Sequence, residues 1–270
     1  MVTVSNVNFI ELLQVSLKAG QEILDVYAQD FDVAFKEDDS PLTEADQRAD
    51  QAIRTGLQAI SADIPILSEE GRDIPYAERQ DWDRFWLVDP LDGTKEFVKK
   101  NGEFTVNIAL IEGNFPLMGA IYAPVLDVFY FGKVGDGAYK LEQASKVSIT
   151  SEAQLKDKSI RLPEKASSSA VNIVASRSHM SNDTEAFIDR IKQKHEKVEV
   201  VSAGSSLKFC LVAEGKATYY PRFAPTMEWD TGAGQAIVEA SGGKVTRHDD
   251  GERFDYNREN LKNGWFLVER

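Results

Sequence analysis

The chain has 270 residues, 42% hydrophobic and 28% charged, an ordinary globular make-up with length for one large domain or two lobes around a sizeable core. Its formal charge of −13 excludes a nucleic-acid polymer as the main partner, because nothing here would neutralise a row of phosphates; a small phosphate ester stays accessible if metal ions reverse the local sign. The single cysteine, Cys210, excludes an internal disulfide and suits a reducing compartment, and its apolar setting in Phe209-Cys210-Leu211-Val212 reads as a buried structural thiol. Met1 to Asn8 carries neither a basic segment nor a long apolar run, and no stretch approaches the roughly 18 apolar residues of a membrane span. A cytoplasmic protein is expected, monomeric or homodimeric, with peripheral attachment to the inner face of the membrane left open.

Asn6 to about Gln29 reads as an amphipathic helix, with Phe9, Leu13, Leu17, Leu24 and Tyr27 at helical spacing. Phe31 to Phe35 is a short strand candidate, and Lys36 to Ser40 a polar turn ended by Pro41. Thr43-Glu44-Ala45-Asp46 opens a second helix with a pattern resembling a capping box, followed by an apolar face of Ala45, Ala49, Ile53, Leu57 and Ile60. Asp46 there has two readings, the simpler being an acid favoured by the helix dipole and the other a base that orients water. Pro65 to Leu67 is a short strand running into Ser68-Glu69-Glu70-Gly71, and Gly71 to Asp83 is polar without period, a mobile loop or flap.

Phe85 to Val88 reads as a buried strand that stops at Asp89-Pro90, because proline brings no N–H to a ladder. Two carboxylates, Asp89 and Asp92, then stand three residues apart, followed by Gly93, which permits close backbone approach, and by the Thr94 hydroxyl. Acids at the end of a strand suit a hard cation, since Mg²⁺ takes carboxylate and carbonyl oxygens; an Asp-Pro/Asp-Gly turn is the plain alternative. Strands follow at Phe104–Ile111, Met118–Tyr122, Val128–Phe131 and Ala138–Leu141, with a hairpin turn at 112–114, an antiparallel meander. Ser145 to Ser169 is polar and irregular and marks a boundary between an N-terminal α+β lobe (1–150) and a C-terminal α/β lobe (151–270), read as two lobes of one unit.

The second lobe alternates. Asn172–Ala175 is a strand, Ser176 to His179 a turn, Asn182–His195 a helix, Val198–Val201 a strand, and Gly204-Ser205-Ser206 precedes the helix Leu207–Ala213. Thr218–Tyr220 is a strand stopped by Pro221, Asp230–Ala240 a Gly/Ala-rich helix with Asp230 as N-cap, and Lys244–Thr246 and Trp265–Val268 are strands. Strand–helix alternation places ligand groups at strand ends and helix N-termini. Asp230 is then either a cap or one more carboxylate for a metal site.

Asp-Pro-Leu-Asp-Gly-Thr at 89–94, then Trp229-Asp230, then eleven residues (231–241) and Gly242-Gly243, resembles the split signature of the lithium-sensitive, magnesium-dependent phosphomonoesterases. That superfamily holds inositol monophosphatases, fructose-1,6-bisphosphatases and 3'(2'),5'-bisphosphate nucleotidases. The resemblance covers nearly the whole chain, including Thr-Glu-Ala-Asp at 43–46 and Ser-Glu-Glu at 68–70. Asp-Gly-Thr-Lys-Glu-Phe (92–97), Ser-Arg-Ser-His (176–179), Gly-Ser-Ser-Leu-Lys-Phe (204–209) and Tyr-Pro-Arg-Phe (220–223) are most similar to the nucleotidases acting on adenosine 3',5'-bisphosphate; inositol monophosphatases typically have Thr-Asn in place of Lys95-Glu96.

The resemblance implies a layered α-β-α-β-α sandwich and a phosphomonoesterase that removes the 3'-phosphate to give AMP, a role in clearing a by-product of sulfate assimilation. It implies metal ligands Glu69, Asp89, Asp92 and Asp230 with the carbonyl of Leu91, and activation of water by Asp46 and Thr94. It implies substrate contacts from Glu69, Leu91, Asp92, Gly93, Thr94 and Asp230, and nucleotide contacts from His179, Ser205, Lys208 and Arg222. Physical chemistry is consistent with this. Carboxylates in one pocket repel by roughly 4 kcal/mol per close pair at an effective dielectric near 20, and some would take up protons. About two or three Mg²⁺ ions would remove the repulsion and attract phosphate, so no covalent intermediate is needed. An inositol monophosphatase or sugar bisphosphatase is the nearest rival. A catalytically idle metal- or nucleotide-binding regulator, whose hallmark would be a lost acid among the four, is a rival of another class.

Overall fold

The computed structural model describes residues 7–29, 33–35, 41–164, 170–175 and 181–270. Helix α1 (Phe9–Tyr27) starts at a capping box between Asn8 and Glu11. It lies against α2 (Glu44–Ile60), with the two-residue antiparallel strands β1 (Ala34–Phe35) and β2 (Pro41–Leu42) between them in sequence. A seven-stranded sheet follows: β3 (Ile66–Ser68), β4 (Arg84–Asp92), β5 (Thr105–Glu112), β6 (Phe115–Ala123), β7 (Val128–Lys133), β8 (Gly137–Glu142) and β9 (Ile160–Leu162). These strands are neighbours in chain order; β3 runs parallel to β4 and the rest are antiparallel. Short helices α3 (Tyr76–Arg79), α4 (Thr94–Val98) and α5 (Glu152–Asp157) lie in its connections.

The second sheet has five strands in the order β11-β10-β12-β14-β13: β10 (Val171–Ala175), β11 (Val198–Ser202), β12 (Tyr219–Arg222), β13 (Lys244–Arg247) and β14 (Phe266–Glu269). Helices α6 (Asn182–Lys192), α7 (Leu207–Glu214) and α8 (Gly232–Ala240) accompany it.

Strand alternation turns these sheets into layers. Along β4, Trp86 and Val88 pack with α1 and α2, while Phe85 and Leu87 join the core that holds α7 and α8. The same division holds on β5, where Val106, Ile108 and Leu110 face α1 and α2 and Ala109 and Ile111 face the other side. Both faces are covered, so the central strands are mostly apolar. The α7/α8 layer is shared with the second sheet, and α6 packs on that sheet's outer face through Phe187, Ile188 and Ile191 against Ile173. The architecture is the expected five-layer α-β-α-β-α sandwich. Close approach of α8 depends on Gly119: a Cβ there would lie 2.3 Å from the Ala233 carbonyl oxygen. No helix among the described residues is long and apolar enough to cross a membrane.

Several local expectations are corrected. β4 does not stop at Pro90. It continues to Asp92 through a bulge, pairing Asp89 with Asn107 and Asp92 with Thr105, so Pro90 falls where the ladder is already interrupted and past the end of β3. Pro221 likewise lies within β12, beyond Tyr219, where pairing with β10 ends. Segment 145–164 is not irregular, since it holds α5 and β9, and β9 extends the first sheet. The 71–83 stretch contains α3 and is anchored, with Arg79 buried and donating to the carbonyls of Ile74 and Glu259 and to Asn257 Oδ1. Asp230 is not the cap of α8. A 3-10 turn, Glu228–Asp230, intervenes and Thr231 holds the cap position. The turns expected at 36–40 and 176–179 lie outside the described residues.

Candidate active site

The site forms where the bulged end of β4 meets the second sheet. Three carboxylates, Glu69 after β3, Asp89 before the bulge and Asp230 on the 3-10 turn, converge with ligand oxygens all within 4.8 Å of one another. They lie 20 and 141 residues apart along the chain and meet only because two separate segments are folded onto the end of β4; no local pattern requires their meeting. Asp92 lies outside that tight trio but lines the same pocket, of about 330 Å³, with the Leu91 backbone, Gly93 and Thr94. Gly93 takes the left-handed conformation (φ 93°) that turns the chain from β4 into α4.

Each acid is held by the local fold. Leu91 N–H donates to Asp89 Oδ1 at 3.0 Å. Met227 N–H donates to Asp230 Oδ2 at 2.8 Å, so the 3-10 turn aims this carboxylate. Asp46 is buried at the start of α2, where the backbone N–H and hydroxyl of Thr43 both donate to its Oδ2 at 2.7 Å, completing the expected capping box. Its other oxygen faces the Thr94 hydroxyl at 3.4 Å, and that hydroxyl also stands 3.3 Å from the Leu91 carbonyl. The two readings of Asp46 are therefore compatible: the same carboxylate caps a helix and touches Thr94.

Crowding leaves an electrostatic mark. Burial, then the charges of Glu69, Asp92, Asp230 and Asp46, raise the Asp89 carboxyl well above its ordinary range. Burial and the nearby Asp92 push Asp230 up to about 8, with Glu69 adding to the rise. Acids perturbed in this way, inside a pocket, cluster at functional centres. The trio offers only hard carboxylate oxygens, with no imidazole or thiolate; this fits Mg²⁺ or a similar divalent cation.

The pocket's opposite wall comes from the second sheet and α7: Ser205, Ser206, Lys208, Tyr220 and Arg222. Lys208 is buried, which pushes its amine down to about 8, and it donates to the carbonyl of Ser205 at 2.6 Å and lies 3.4 Å from that of Ala203. Arg222 donates through Nη2 to the Pro225 carbonyl at 3.0 Å, while its buried Nε has no hydrogen-bond partner among the described residues. Ser205, at a positive φ of 43°, likewise has a buried, unpartnered hydroxyl there. His179 lies outside the described residues. Cys210 is buried with its thiol pushed well up by desolvation, as a structural cysteine should be.

Two residues of the site were not singled out from the sequence. Asn107 on β5 donates to Asp92 Oδ2 (3.3 Å) and to Ser206 Oγ (2.9 Å), and the Ser206 hydroxyl lies 2.7 Å from Asp92 Oδ2. The available signal was polarity in a strand buried on both faces: Thr105 and Asn107 interrupt an otherwise apolar run.

Comparison with known proteins agrees with this geometry. The model of the inositol monophosphatase family matches residues 5–264. The 3'(2'),5'-bisphosphate nucleotidase CysQ of Salmonella typhimurium is 46% identical over 263 residues, 96% of this chain and 98% of the relative. Its namesake in Escherichia coli K12 is 44% identical over the same shares. The crystal structure of CysQ from Bacteroides thetaiotaomicron, a bacterial member of the same family, aligns with a TM-score of 0.88 at 49% identity, covering 96% of both chains. The extragenic suppressor protein suhB from Bartonella henselae shares the fold, with a TM-score of 0.74, 23% identity, and coverage of 97% of this chain and 93% of that one. The split acidic signature, the five-layer sandwich and these matches lead to one assignment: this chain belongs to the inositol monophosphatase family.

Proposed function

We propose that this chain is a 3'(2'),5'-bisphosphate nucleotidase that hydrolyses the 3'-phosphate of adenosine 3',5'-bisphosphate to AMP and phosphate. The observation that carries the reading is the two-sided pocket: a crowded carboxylate trio on one wall, and on the other Arg222 with an unpartnered guanidinium nitrogen, beside Lys208 and Ser205. A substrate with two phosphates suits two such walls, and relatives over nearly the full chain carry that activity in their names. Glu69, Asp89, Asp92 and Asp230 with the Leu91 carbonyl would hold about two or three Mg²⁺ ions. When bound, the ions supply the positive charge that draws in a phosphate and offsets charge on the departing oxygen.

The chain's own groups supply the rest. Thr43 pins Asp46 Oδ2, which leaves Oδ1 turned to Thr94. The Thr94 hydroxyl orients the attacking water, and Asp46 receives the proton by way of it. The Gly93–Thr94 backbone seats the scissile phosphate, and Arg222 binds the other phosphate as a guanidinium. Lys208, whose contacts are to backbone carbonyls, shapes the 203–206 loop so that the Ser205 hydroxyl faces the nucleotide.

Phosphate release from adenosine 3',5'-bisphosphate and from inositol 1-phosphate, each with Mg²⁺ and with excess chelator, tests this. Faster, Mg²⁺-dependent turnover of the nucleotide is expected. Preference for inositol 1-phosphate would transfer the chain to the rival activity on the same scaffold.

A further inference from the structure

We propose that Asn107 and Ser206 are positioning residues that set Asp92 against Asp230 and thereby govern the affinity of the site for divalent cations. The inference rests on the reading of the acids as a metal centre. Asn107 and Ser206 are each 1% exposed, and neither belongs to the acid trio. The Thr105 hydroxyl donates to Asn107 Oδ1 at 3.0 Å, which fixes the amide with its NH₂ towards Ser206 and Asp92. That NH₂ donates to Ser206 Oγ, so the single Ser206 proton is directed onward, to Asp92 Oδ2 at 2.7 Å or to the Asp230 carbonyl at 2.9 Å.

The arrangement spans the two sheets. Asp92 and Asn107 belong to β4 and β5, whereas Ser206 precedes α7 and Asp230 follows β12. One hydroxyl thus stands within hydrogen-bond reach of both an acid of the first sheet and the backbone of an acid of the second. With the Ser206 proton on Asp92, two donors share its Oδ2 and restrict the rotation of the carboxylate, leaving Oδ1 as the oxygen on which neither of them falls. Partners of this kind around metal-binding carboxylates typically change affinity by about 10–100-fold when removed.

The test is calorimetric titration of the metal-free protein with Mn²⁺ alone, alongside thermal midpoints in chelator and the Mg²⁺ dependence of phosphate release. Ser206→Ala should weaken Mn²⁺ binding about tenfold or more and raise the half-saturating Mg²⁺ in parallel. Its substrate KM at saturating Mg²⁺ should stay within about twofold of wild type. Asn107→Ser provides the same comparison if Ser206→Ala does not fold. A Ser206→Ala protein with wild-type Mn²⁺ affinity, whatever its thermal midpoint, overturns the inference. Absence of Mn²⁺ binding by the wild-type chain would instead overturn the reading of the acids as a metal centre.

Discussion

Asp230→Asn separates the electrostatic cost of the site from its function. In the metal-free protein, burial and Asp92 raise the Asp230 carboxyl from 3.8 to about 8. A raised acid contributes stability that is complete below about pH 4 and is lost progressively as pH climbs through 8. The gap between those values, at ~1.4 kcal/mol per pH unit, is on the order of 6 kcal/mol. Asp230 lines an open pocket, so solvent screening reduces this to an expected ~2–3 kcal/mol. Asparagine keeps the shape and an oxygen to accept the Met227 N–H, but carries no charge. Urea unfolding in chelator should therefore find Asp230→Asn more stable than wild type by ~2–3 kcal/mol at pH 8, with the difference closing towards pH 5. Added Mg²⁺ should stabilise the wild type and leave the variant nearly unchanged, because binding to the native state alone raises stability. A variant no more stable than wild type at pH 8, or a difference that ignores pH, would refute the claim that burial and the neighbouring acids hold this carboxyl above its ordinary range in the metal-free fold.

Three further outcomes follow from the contacts. Thr94→Val and Asp46→Asn should each lower kcat by about 10²-fold or more in the phosphate-release assay, while Mn²⁺ affinity changes little for Thr94→Val. Arg79→Leu leaves the Ile74 and Glu259 carbonyls and Asn257 Oδ1 without their buried donor. It should cost ~2–4 kcal/mol by urea unfolding and expose the 71–83 segment to proteolysis. Gly119→Ala places a Cβ against the Ala233 carbonyl and should destabilise by ~1–3 kcal/mol, with activity of the folded fraction reduced only as far as α8 moves.

Much of the molecule was legible before any coordinates, for reasons that are local. The α1 and α2 caps are short-range hydrogen-bond patterns, and the meander from β5 to β8 is strand alternation broken by turn residues. The acids themselves were legible through a signature whose spacing is rarely met by chance. Pro90 and Pro221 misled because a proline's missing N–H matters only where a neighbour strand would use it, and strand order is not written locally. The 71–83 segment misled because its anchor, Asn257, is 178 residues from Arg79.

By itself, then, the amino-acid order made legible the longer helices, the meander strands and the acids available at strand ends. Tertiary structure alone decided that Glu69, Asp89 and Asp230 share one cluster while Asp92 is drawn aside to Asn107 and Ser206. It also decided that Lys208 faces backbone carbonyls, while the buried Nε of Arg222 meets no hydrogen-bond partner among the described residues. The physical reason is range. Caps, turns and periodicity act over a few residues, whereas charge crowding and shared hydrogen bonds depend on distances that exist only once both sheets have closed on the α7/α8 layer.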